Sequence, residues 1–356
     1  MSFSQAPAVN DIGADISKAD FAVAINDLMV DVKKLVVKKF PRTAEGAGKF
    51  LEWAHKQLGA DATIRVIMEA TGLYSEQLAD WLCGLNPKVR VVIANPRAVS
   101  DYAKSHSDTK TDDSDARVLA RFGMGRSLIE YVPLPDEQKP LRAMVRCRKE
   151  IVIRITAEKQ RRKEYEGLSE EVTQCQDRII AQLGKEKITI DCAIKQFINK
   201  HSKLKKTVHD LKQICGVGQT VAAVIVAELG DLSRFKSHKA FAAFLGLKPR
   251  EYSSGTSVKK RTRMSKRGSS YIRALLYMAA MAAVKQPNNR FAIQYEALVA
   301  RGMVRMAALG AVMRKMAVVM RAMAVSNTPY QDDHKPTCGK PVESCGENTN
   351  PINLQP

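Results

Sequence analysis

The chain of 356 residues lacks the features that mark secreted, zinc-bound and membrane-spanning proteins. Its seven cysteines are scattered, odd in number and without a Cys-x-x-Cys pair. That pattern argues against a disulfide framework or a zinc site and favours a reducing cytoplasm. No apolar run reaches the roughly 18–20 residues of a membrane span, and residues 1–10 lack the basic start and apolar stretch of a secretory signal. We therefore expect a cytoplasmic protein with no membrane partner.

Acidic residues are scarce in the later part of the chain. The whole sequence has 57 Lys and Arg against 37 Asp and Glu, a net charge of +20. Residues 1–136 have a net charge of −1, and residues 137–356 have +21. Between Leu232 and Ser326, 19 basic residues stand against only two acids, Glu251 and Glu296. Such a segment favours a polyanionic partner and disfavours an enzyme of small metabolites.

Residues 8–130 predict an α/β domain. Three strands come first, and helices and strands then alternate in the order β-β-β-α-β-α-β-α, which matches the ribonuclease-H-like fold. The predicted strands are Val9–Ile16, Phe21–Ile25, Leu35–Phe40, Thr63–Met68 and Val89–Ala94. The predicted helices are Ala44–Leu58, Leu73–Leu82, one begun by Asn95 and Pro96, and one from Asp112 or Asp113 to about Phe122.

Residues 137–213 predict a helical spacer. Leu141–Glu166 contains neither Gly nor Pro, and a continuous helix there would be about 39 Å long at 1.5 Å per residue. A turn near Gly184 and a second helix over Ile188–Ile214 would complete an antiparallel, coiled-coil hairpin. We interpret it as a solvated spacer or dimer arm, with direct nucleic-acid contact by its Arg and Lys face as the alternative.

Residues 214–325 predict a mainly helical module. It begins with a helix-hairpin-helix-like element, in which a Gly-x-Gly turn joins helices over Leu204–Ile214 and Thr220–Leu229. A basic loop over residues 250–267 follows, and Ala- and Met-rich helices continue to about Ala324. The tail, residues 327–356, has five prolines and few apolar residues, so we predict that it is disordered.

Four carboxylates of the first domain stand at positions where they can converge. Asp15 ends the first strand, Glu69 follows the buried strand Thr63–Met68, and Asp112 and Asp115 share one face at a helix start. Clustered carboxylates repel one another unless hard cations neutralise them. The pattern predicts a nuclease-like site with two Mg²⁺ ions about 3.5–4 Å apart. Each acid has an alternative role as a turn or cap residue, and Asp108 and Asp113 compete with Asp112.

Two segments of the last module suit phosphate groups. Gly216-Val217-Gly218 would let backbone N–H groups approach a phosphate where a Cβ would clash, although glycine turns also simply end helices. Residues 246–268 combine Ser253 and Ser254 beside a glycine with many basic side chains, although Ser-Ser-Gly is also common loop material. The predicted nucleic-acid contacts are Gly216, Gly218, Lys248, Arg250, Lys259, Lys260, Arg261, Arg263, Lys266, Arg267 and Arg273.

Six stretches in order resemble one known family. They are GADISKADFAVAI, VIMEATGLY, KTDDSDARVLARF, ICGVGQTVAAVIVAELGDLSRF, FAAFLGLKPREYSSG and MSKRGSSYIRALLYMAA. Together they resemble the DEDD-type insertion-sequence transposases of the IS110 and IS1111 groups, relatives of the Piv DNA invertases. The resemblance covers roughly residues 10–325. Two positions depart from the family pattern: Cys215 replaces the usual proline before Gly-Val-Gly, and Ser253 stands beside the serine that precedes the glycine.

The resemblance implies a RuvC-like nuclease domain whose four acidic residues are Asp15, Glu69, Asp112 and Asp115. It also implies that Ser254 attacks a DNA phosphodiester and forms a covalent phosphoserine link, aided by carboxylate-bound Mg²⁺. The family works as a homotetramer, a dimer of dimers, on donor and target DNA. A structured guide (bridge) RNA pairs with both DNAs and so reads their sequences. The expected setting is a prokaryotic, nucleoid-associated cytoplasmic protein.

Three alternative functions are compatible with the same residues. A site-specific invertase would use the same chemistry on differently placed sites. A junction-resolving endonuclease would use the same carboxylates with water as the nucleophile and leave no covalent intermediate. A decayed transposase would bind nucleic acid without catalysis, although the four acids and the serine are all retained in this sequence.

Overall fold

The computed structural model describes residues 9–27, 29, 31–104, 112–126, 128–254 and 258–331. The side chains of residues 33, 112–114, 250–254 and 258–262 lie outside that description, although their backbone is included. Most of the predicted disordered tail, from residue 332 onward, also lies outside the described residues.

The first domain is built on a mixed sheet of five strands. The strands are β1 (Val9–Ile16), β2 (Asp20–Ile25), β3 (Val37–Pro41), β4 (Thr63–Glu69) and β5 (Arg90–Ala94). Their order in the sheet is β3-β2-β1-β4-β5. The first three form an antiparallel meander, and β4 and β5 run parallel to β1. The predicted order of strands is confirmed, and the sheet fits a RuvC-like domain.

Helices cover both faces of this sheet. They are α1 (Ala44–Leu58), α2 (Leu73–Leu85), α3 (Pro96–Ala103) and α4 (Asp112–Phe122). Alternate residues of β1 such as Ile12 and Ala14 form a core with Phe50 of α1 and Leu78 of α2. The intervening residues of β1 face α4, because successive side chains of a strand point to opposite faces.

The middle of the chain is a helical hairpin whose turn is not where the sequence predicts it. Its helices are α5 (Lys139–Glu164) and α6 (Glu170–Lys200). Gly184 lies inside α6, since a single glycine weakens a helix by about 1 kcal/mol but does not end it. The chain turns instead around Gly167, whose φ is +80°, and the Ser169 hydroxyl caps α6 by accepting from the Val172 N–H.

Ion pairs show that the two helices of the hairpin run antiparallel. Arg162 pairs with Asp177 near the turn, and Arg148 pairs with Asp191, fourteen residues earlier on α5 and fourteen later on α6. The predicted continuous helix over Ile188–Ile214 is also wrong. It is divided at His201, and the separate helix α7 (Ser202–Lys212) follows.

The last module packs its helices into one shared apolar core. Its helices are α8 (Gln219–Leu229), α9 (His238–Phe244), α10 (Ser270–Val284), α11 (Arg290–Ala300) and α12 (Arg305–Ser326). The basic segment predicted as a loop is instead a two-stranded antiparallel hairpin of β6 (Pro249–Ser254) and β7 (Val258–Met264). The two strands are held together by backbone pairing. Neither segment has the alternation of apolar and polar residues by which a sequence pattern indicates a strand. Among the described helices, none is long and apolar enough to cross a membrane.

Candidate active site

Two of the predicted acids lie side by side on neighbouring strands. Ala14 of β1 is level with Met68 of the parallel strand β4, so the next residues, Asp15 and Glu69, come together at the carboxyl ends of both strands. Asp15 is the penultimate residue of β1, and Glu69 is the last residue of β4 rather than the first beyond it. Both side chains are partly buried. Tertiary pairing thus joins two acids that are 54 positions apart in the sequence.

Helix α4 crosses the same face of the sheet in very close contact with β1. A Cβ on Gly13 would lie 2.0 Å from the carbonyl oxygen of Ala116 and 2.2 Å from the amide nitrogen of Ala120. Ala22 and Ala24 of β2 pack against the same two alanines of α4. Only small residues permit this approach of helix to sheet.

The direction of α4 brings its acidic first turn toward Asp15. Asp11 of β1 lies beside Gly123, just after α4, and Gly13 lies beside Ala116. Moving along β1 therefore corresponds to moving backward along α4, and Asp15 comes level with the helix turn that begins at Asp112. Asp115 is partly buried in this turn, and the side chain of Asp112 lies outside the described residues.

An ion pair that the sequence analysis missed holds the other end of α4. The Arg65 guanidinium of β4 donates to the carboxylate of Asp11 at 2.6 and 2.9 Å, and to the carbonyl oxygen of Gly123 at 2.7 Å. Asp11 is only 6% exposed, and its hydrogen bond raises the pKa of Arg65. An arginine inside an otherwise apolar strand was the signal available, since buried charges are normally paired.

The described side chains do not by themselves form a metal centre. Among them, no group of three or more His, Cys, Asp or Glu is close enough together to hold an ion. The donors on this edge are carboxylate oxygens, the ligand type that Mg²⁺ takes. The residues therefore fit a hard cation in chemistry, and the fourth predicted acid, Asp112, is outside the described side chains.

The predicted serine lies on the β-hairpin of the last module. Ser254 is the last residue of β6 and is level with Val258 of β7, and Ser253 is level with Lys259. The side chains of Ser253, Ser254, Arg250, Lys259, Lys260 and Arg261 lie outside the described residues. Among the other predicted contacts, Lys248, Arg263, Lys266 and Arg267 are exposed, as phosphate-binding side chains need to be.

Two glycines, one before β6 and one after β7, make close backbone contacts at what we call the base of the hairpin. A Cβ on Gly268 would lie 2.2 Å from the carbonyl oxygen of Phe244, and a Cβ on Gly246 would lie 2.7 Å from the Gly268 amide nitrogen. Arg273 donates to the carbonyl oxygens of Gly268 and Leu245. The structure thus gives this predicted nucleic-acid contact a role in holding the hairpin, and burial lowers its pKa.

The hairpin base also contacts the first domain. Asn95, the N-cap of α3, donates its side-chain amide to the carbonyl oxygen of Arg267 at 2.7 Å. The Arg267 guanidinium lies 3.8 Å from the carboxylate of Asp101 on α3. One edge of the first domain, at α3, therefore touches the module that carries the serine.

The Gly-Val-Gly turn lies between α7 and α8, as predicted. Gly216 has a φ of +84°, and its missing Cβ would lie 2.1 Å from the carbonyl oxygen of Ala279 in α10. Gly218 has open space around its Cβ position and is the N-cap of α8. Close packing against α10 is therefore the visible reason for Gly216, whereas the surroundings of Gly218 leave room for a phosphate.

Two family models match the chain in regions that correspond to these two parts. A transposase model of the DEDD, IS110 type matches residues 12–168. A model described as the transposase IS116/IS110/IS902 family matches residues 208–296.

Curated relatives agree with these matches. A pilin gene-inverting protein of Moraxella bovis is 29% identical over 292 residues, which are 82% of this chain and 89% of that protein. The transposase for insertion sequence element IS1111A of Coxiella burnetii is 27% identical over 63% of this chain and 67% of its own length. A probable family 20 transposase of Pseudomonas aeruginosa is 27% identical over 63% of this chain and 72% of its own. The chain belongs to the DEDD transposases of the IS110 and IS1111 families, which are DNA transposases and recombinases.

Proposed function

We propose that this enzyme cuts and rejoins DNA through Ser254 and a carboxylate site formed by Asp15, Glu69, Asp112 and Asp115. The observation that carries the proposal is the register of β1 and β4, which sets Asp15 beside Glu69 on the face that α4 covers. Strand exchange would take place in a homotetramer, a dimer of dimers, on donor and target DNA.

The serine chemistry needs no external energy source. The Ser254 hydroxyl loses its proton as its oxygen bonds to phosphorus, and the bond from phosphorus to one DNA oxygen breaks and that oxygen takes up a proton. The phosphoserine ester keeps the energy of the phosphodiester. Attack by the freed hydroxyl of another strand reverses the step, rejoins the DNA and releases the serine.

The four carboxylates would hold two Mg²⁺ ions, as in two-metal phosphoryl-transfer sites, and the bound ions would supply charge neutralisation at the attacking and leaving oxygens. Asp15 and Glu69 offer oxygen donors from two adjacent strands, and Asp112 and Asp115 add donors from one helix turn. The close packing at Gly13 fixes the helix against the strand.

The positive charge of the basic hairpin suits a nucleic-acid backbone. We further propose that a guide RNA reads the DNA by base pairing. Lys248, Arg263, Lys266 and Arg267 present exposed positive charge around the hairpin base. These groups bind phosphates without reading sequence, so sequence choice would come from the RNA.

The test of the nucleophile is a denaturing gel of enzyme incubated with labelled DNA, RNA and Mg²⁺. The wild type forms a detergent-stable protein–DNA adduct, and Ser254→Ala abolishes the adduct while it keeps nucleic-acid binding. Ser253→Ala is the matched control and keeps the adduct. Adducts that persist in Ser254→Ala and vanish in Ser253→Ala would transfer the role to Ser253, whereas cleavage without any adduct would point to hydrolysis by water.

The test of the carboxylate site uses the same assay. Asp15→Asn and Asp112→Asn remove strand transfer, and so does EDTA, because without bound Mg²⁺ nothing neutralises the negative charge that develops on the reacting oxygens. Asp61→Asn, at an exposed position outside the strands, is the control and keeps full activity. Full activity of Asp15→Asn, or in EDTA, contradicts the metal site.

The test of RNA guidance is the sequencing of RNA that copurifies with the chain. We expect one structured non-coding RNA with segments complementary to both DNA sites. Altering the segment that pairs with the target redirects the adduct to a new sequence. Strand transfer that continues after complete ribonuclease digestion contradicts RNA guidance.

Site-specific inversion is a second candidate, favoured by the pilin gene-inverting relative that aligns with 82% of this chain. The chemistry is the same, and the two functions differ in how the sites are placed. A plasmid with two sites in inverted orientation distinguishes them. Inversion of the intervening segment supports an invertase, and insertion into a separate target molecule supports a transposase.

A further inference from the structure

Three parts of the chain meet at a partly buried group of two arginines and two glutamates. Arg142 and Arg146 belong to α5, Glu76 belongs to α2 of the first domain, and Glu228 belongs to α8 of the last module. All four side chains are less than a third exposed. Two positive and two negative charges balance within the group.

Arg146 binds the carboxylates of Glu76 and Glu228 with its one guanidinium. Its two terminal nitrogens donate to Glu76 at 2.9 and 2.7 Å. Its Nε and one terminal nitrogen donate to Glu228, each at 2.8 Å. Two bidentate contacts on one planar group fix angle as well as distance, which a lysine ammonium does not do.

Arg142 supports the same joint from one turn earlier. It donates to the carbonyl oxygens of Ala227 and Glu228 at 3.0 and 3.1 Å, at the end of α8, and its guanidinium lies 3.4 Å from the carboxylate of Glu76. Lys139, another turn back, lies 2.9 Å from the carboxylate of Asp80 on α2. One face of α5 therefore holds both α2 and α8.

The two helices belong to the two parts of the chain that carry the proposed site, α2 to the domain of the carboxylates and α8 to the module of Ser254. Helix α2 starts at Leu73, four residues after Glu69 at the end of β4, and α8 starts directly after the Gly-Val-Gly turn. A change in the angle between α2 and α8 would therefore change the relative orientation in which one chain holds its carboxylate domain and its serine module.

We propose that Arg146 is a positioning residue that locks the carboxylate domain and the serine module in the relative orientation that strand cleavage requires. The helix α5 then does more than separate the two parts of the chain, because it also fixes their relative orientation. The catalytic consequence rests on the proposed function, whereas the lock itself is a property of the free chain that can be measured without nucleic acid.

The kinetic test compares Glu76→Gln, Glu228→Gln and the double variant in the full chain. Each substitution keeps the side-chain shape and breaks one of the two bidentate ion pairs of Arg146. Since a misplacement of about 1 Å between reacting groups costs about 100-fold in rate, we expect each single variant to slow single-turnover adduct formation at least about tenfold, with unchanged nucleic-acid affinity. The double variant should be no slower than the slower single one, because either substitution already breaks the connection of α2 to α8 through Arg146.

Arg146→Lys tests geometry apart from charge. Lysine keeps the positive charge but cannot hold two carboxylates bidentately, so we expect the same loss of rate. The control is Asp177→Asn, which breaks the Arg162–Asp177 ion pair farther along the same hairpin and should leave the rate unchanged. Effects of Glu76→Gln and Glu228→Gln that multiply in the double variant, or a wild-type rate in Arg146→Lys, would overturn the proposal.

The structural test measures the distance between spin labels on unnatural amino acids at Lys88 and Lys212, both exposed, in the free chain diluted with unlabelled protein. We expect a narrow distribution in the wild type and in Asp177→Asn, and a broad one in Arg146→Lys and both glutamine variants. An equally narrow distribution in all of them contradicts the lock. If the wild type forms no adduct at all, the proposed function fails while this measurement still decides the lock.

Discussion

Gly13 and Ala116 touch through their backbones, since a Cβ on Gly13 would lie 2.0 Å from the carbonyl oxygen of Ala116. This contact sets the depth at which α4 lies on the sheet. It also sets where the acidic first turn of α4 comes in relation to Asp15. The candidate site therefore depends on the absence of a side chain at a position with no chemistry of its own.

Gly13→Ala should displace α4 and damage the site. Overpacking of this kind costs about 1–3 kcal/mol or more of the free energy of unfolding, and strand transfer should be lost with it. Urea unfolding and the adduct assay measure the two effects. Gly48→Ala is the control, because nothing lies within 4 Å of its Cβ position in α1, and alanine there should stabilise the helix by about 0.5–1 kcal/mol. Wild-type activity in Gly13→Ala would contradict the described packing.

Asp11→Ala should destabilise the first domain strongly. It leaves Arg65, whose side chain is 17% exposed, without its carboxylate, and breaking a buried pair in this way costs about 3–5 kcal/mol. Urea unfolding measures the loss. Glu45→Ala removes the exposed ion pair with Lys49 and should leave the unfolding curve unchanged. Equal curves for both variants would show that Arg65 finds another partner.

Asp191 should make the stability of the α5–α6 hairpin depend on acid pH. Burial acts to raise its pKa, but hydrogen bonds from Lys187 and Arg148 outweigh burial, so the pKa lies below its ordinary value of 3.8. A carboxyl with a lowered pKa contributes stability that is present above that ordinary value and is lost as pH falls through the folded one. The wild type should therefore exceed Asp191→Asn in unfolding free energy near neutral pH, and the gap should shrink below 3.8. A gap that stays constant down to about pH 2.5 would contradict the sign of the shift.

Gly268→Ala should open the base of the basic hairpin. Its new Cβ would collide with the carbonyl oxygen of Phe244, 2.2 Å away, and backbone there cannot move aside cheaply. We expect weaker binding of nucleic acid and a smaller dependence of affinity on salt, because fewer phosphate contacts release fewer counterions. Salt titrations of binding measure both. Gly184→Ala, with nothing within 4 Å of its Cβ position, should bind as the wild type does, and equal binding by Gly268→Ala would contradict a role for the hairpin base.

Local pattern was enough to predict much of the first domain. Local pattern predicted β1 and α1 with their observed bounds, because a short strand-like run and the helical spacing of Phe50, Ala54 and Leu58 up to Gly59 are visible over a few residues. The predicted turn at Gly184 is wrong because a glycine that ends a helix and one that merely weakens it look alike in sequence. The hairpin of β6 and β7 was missed because its pairing joins segments without an apolar pattern.

The sequence by itself determined the types of residue available: acids at strand and helix ends in the first domain, a Ser-Ser-Gly segment, and basic charge concentrated after residue 136. Tertiary structure alone decided that Asp15 stands beside Glu69, that Asp11 pairs with Arg65, and that Arg146 joins Glu76 to Glu228. The reason is physical. Strand register, backbone contact at a glycine and the bidentate grip of one guanidinium are relations between distant segments, and local preference along the chain does not encode them.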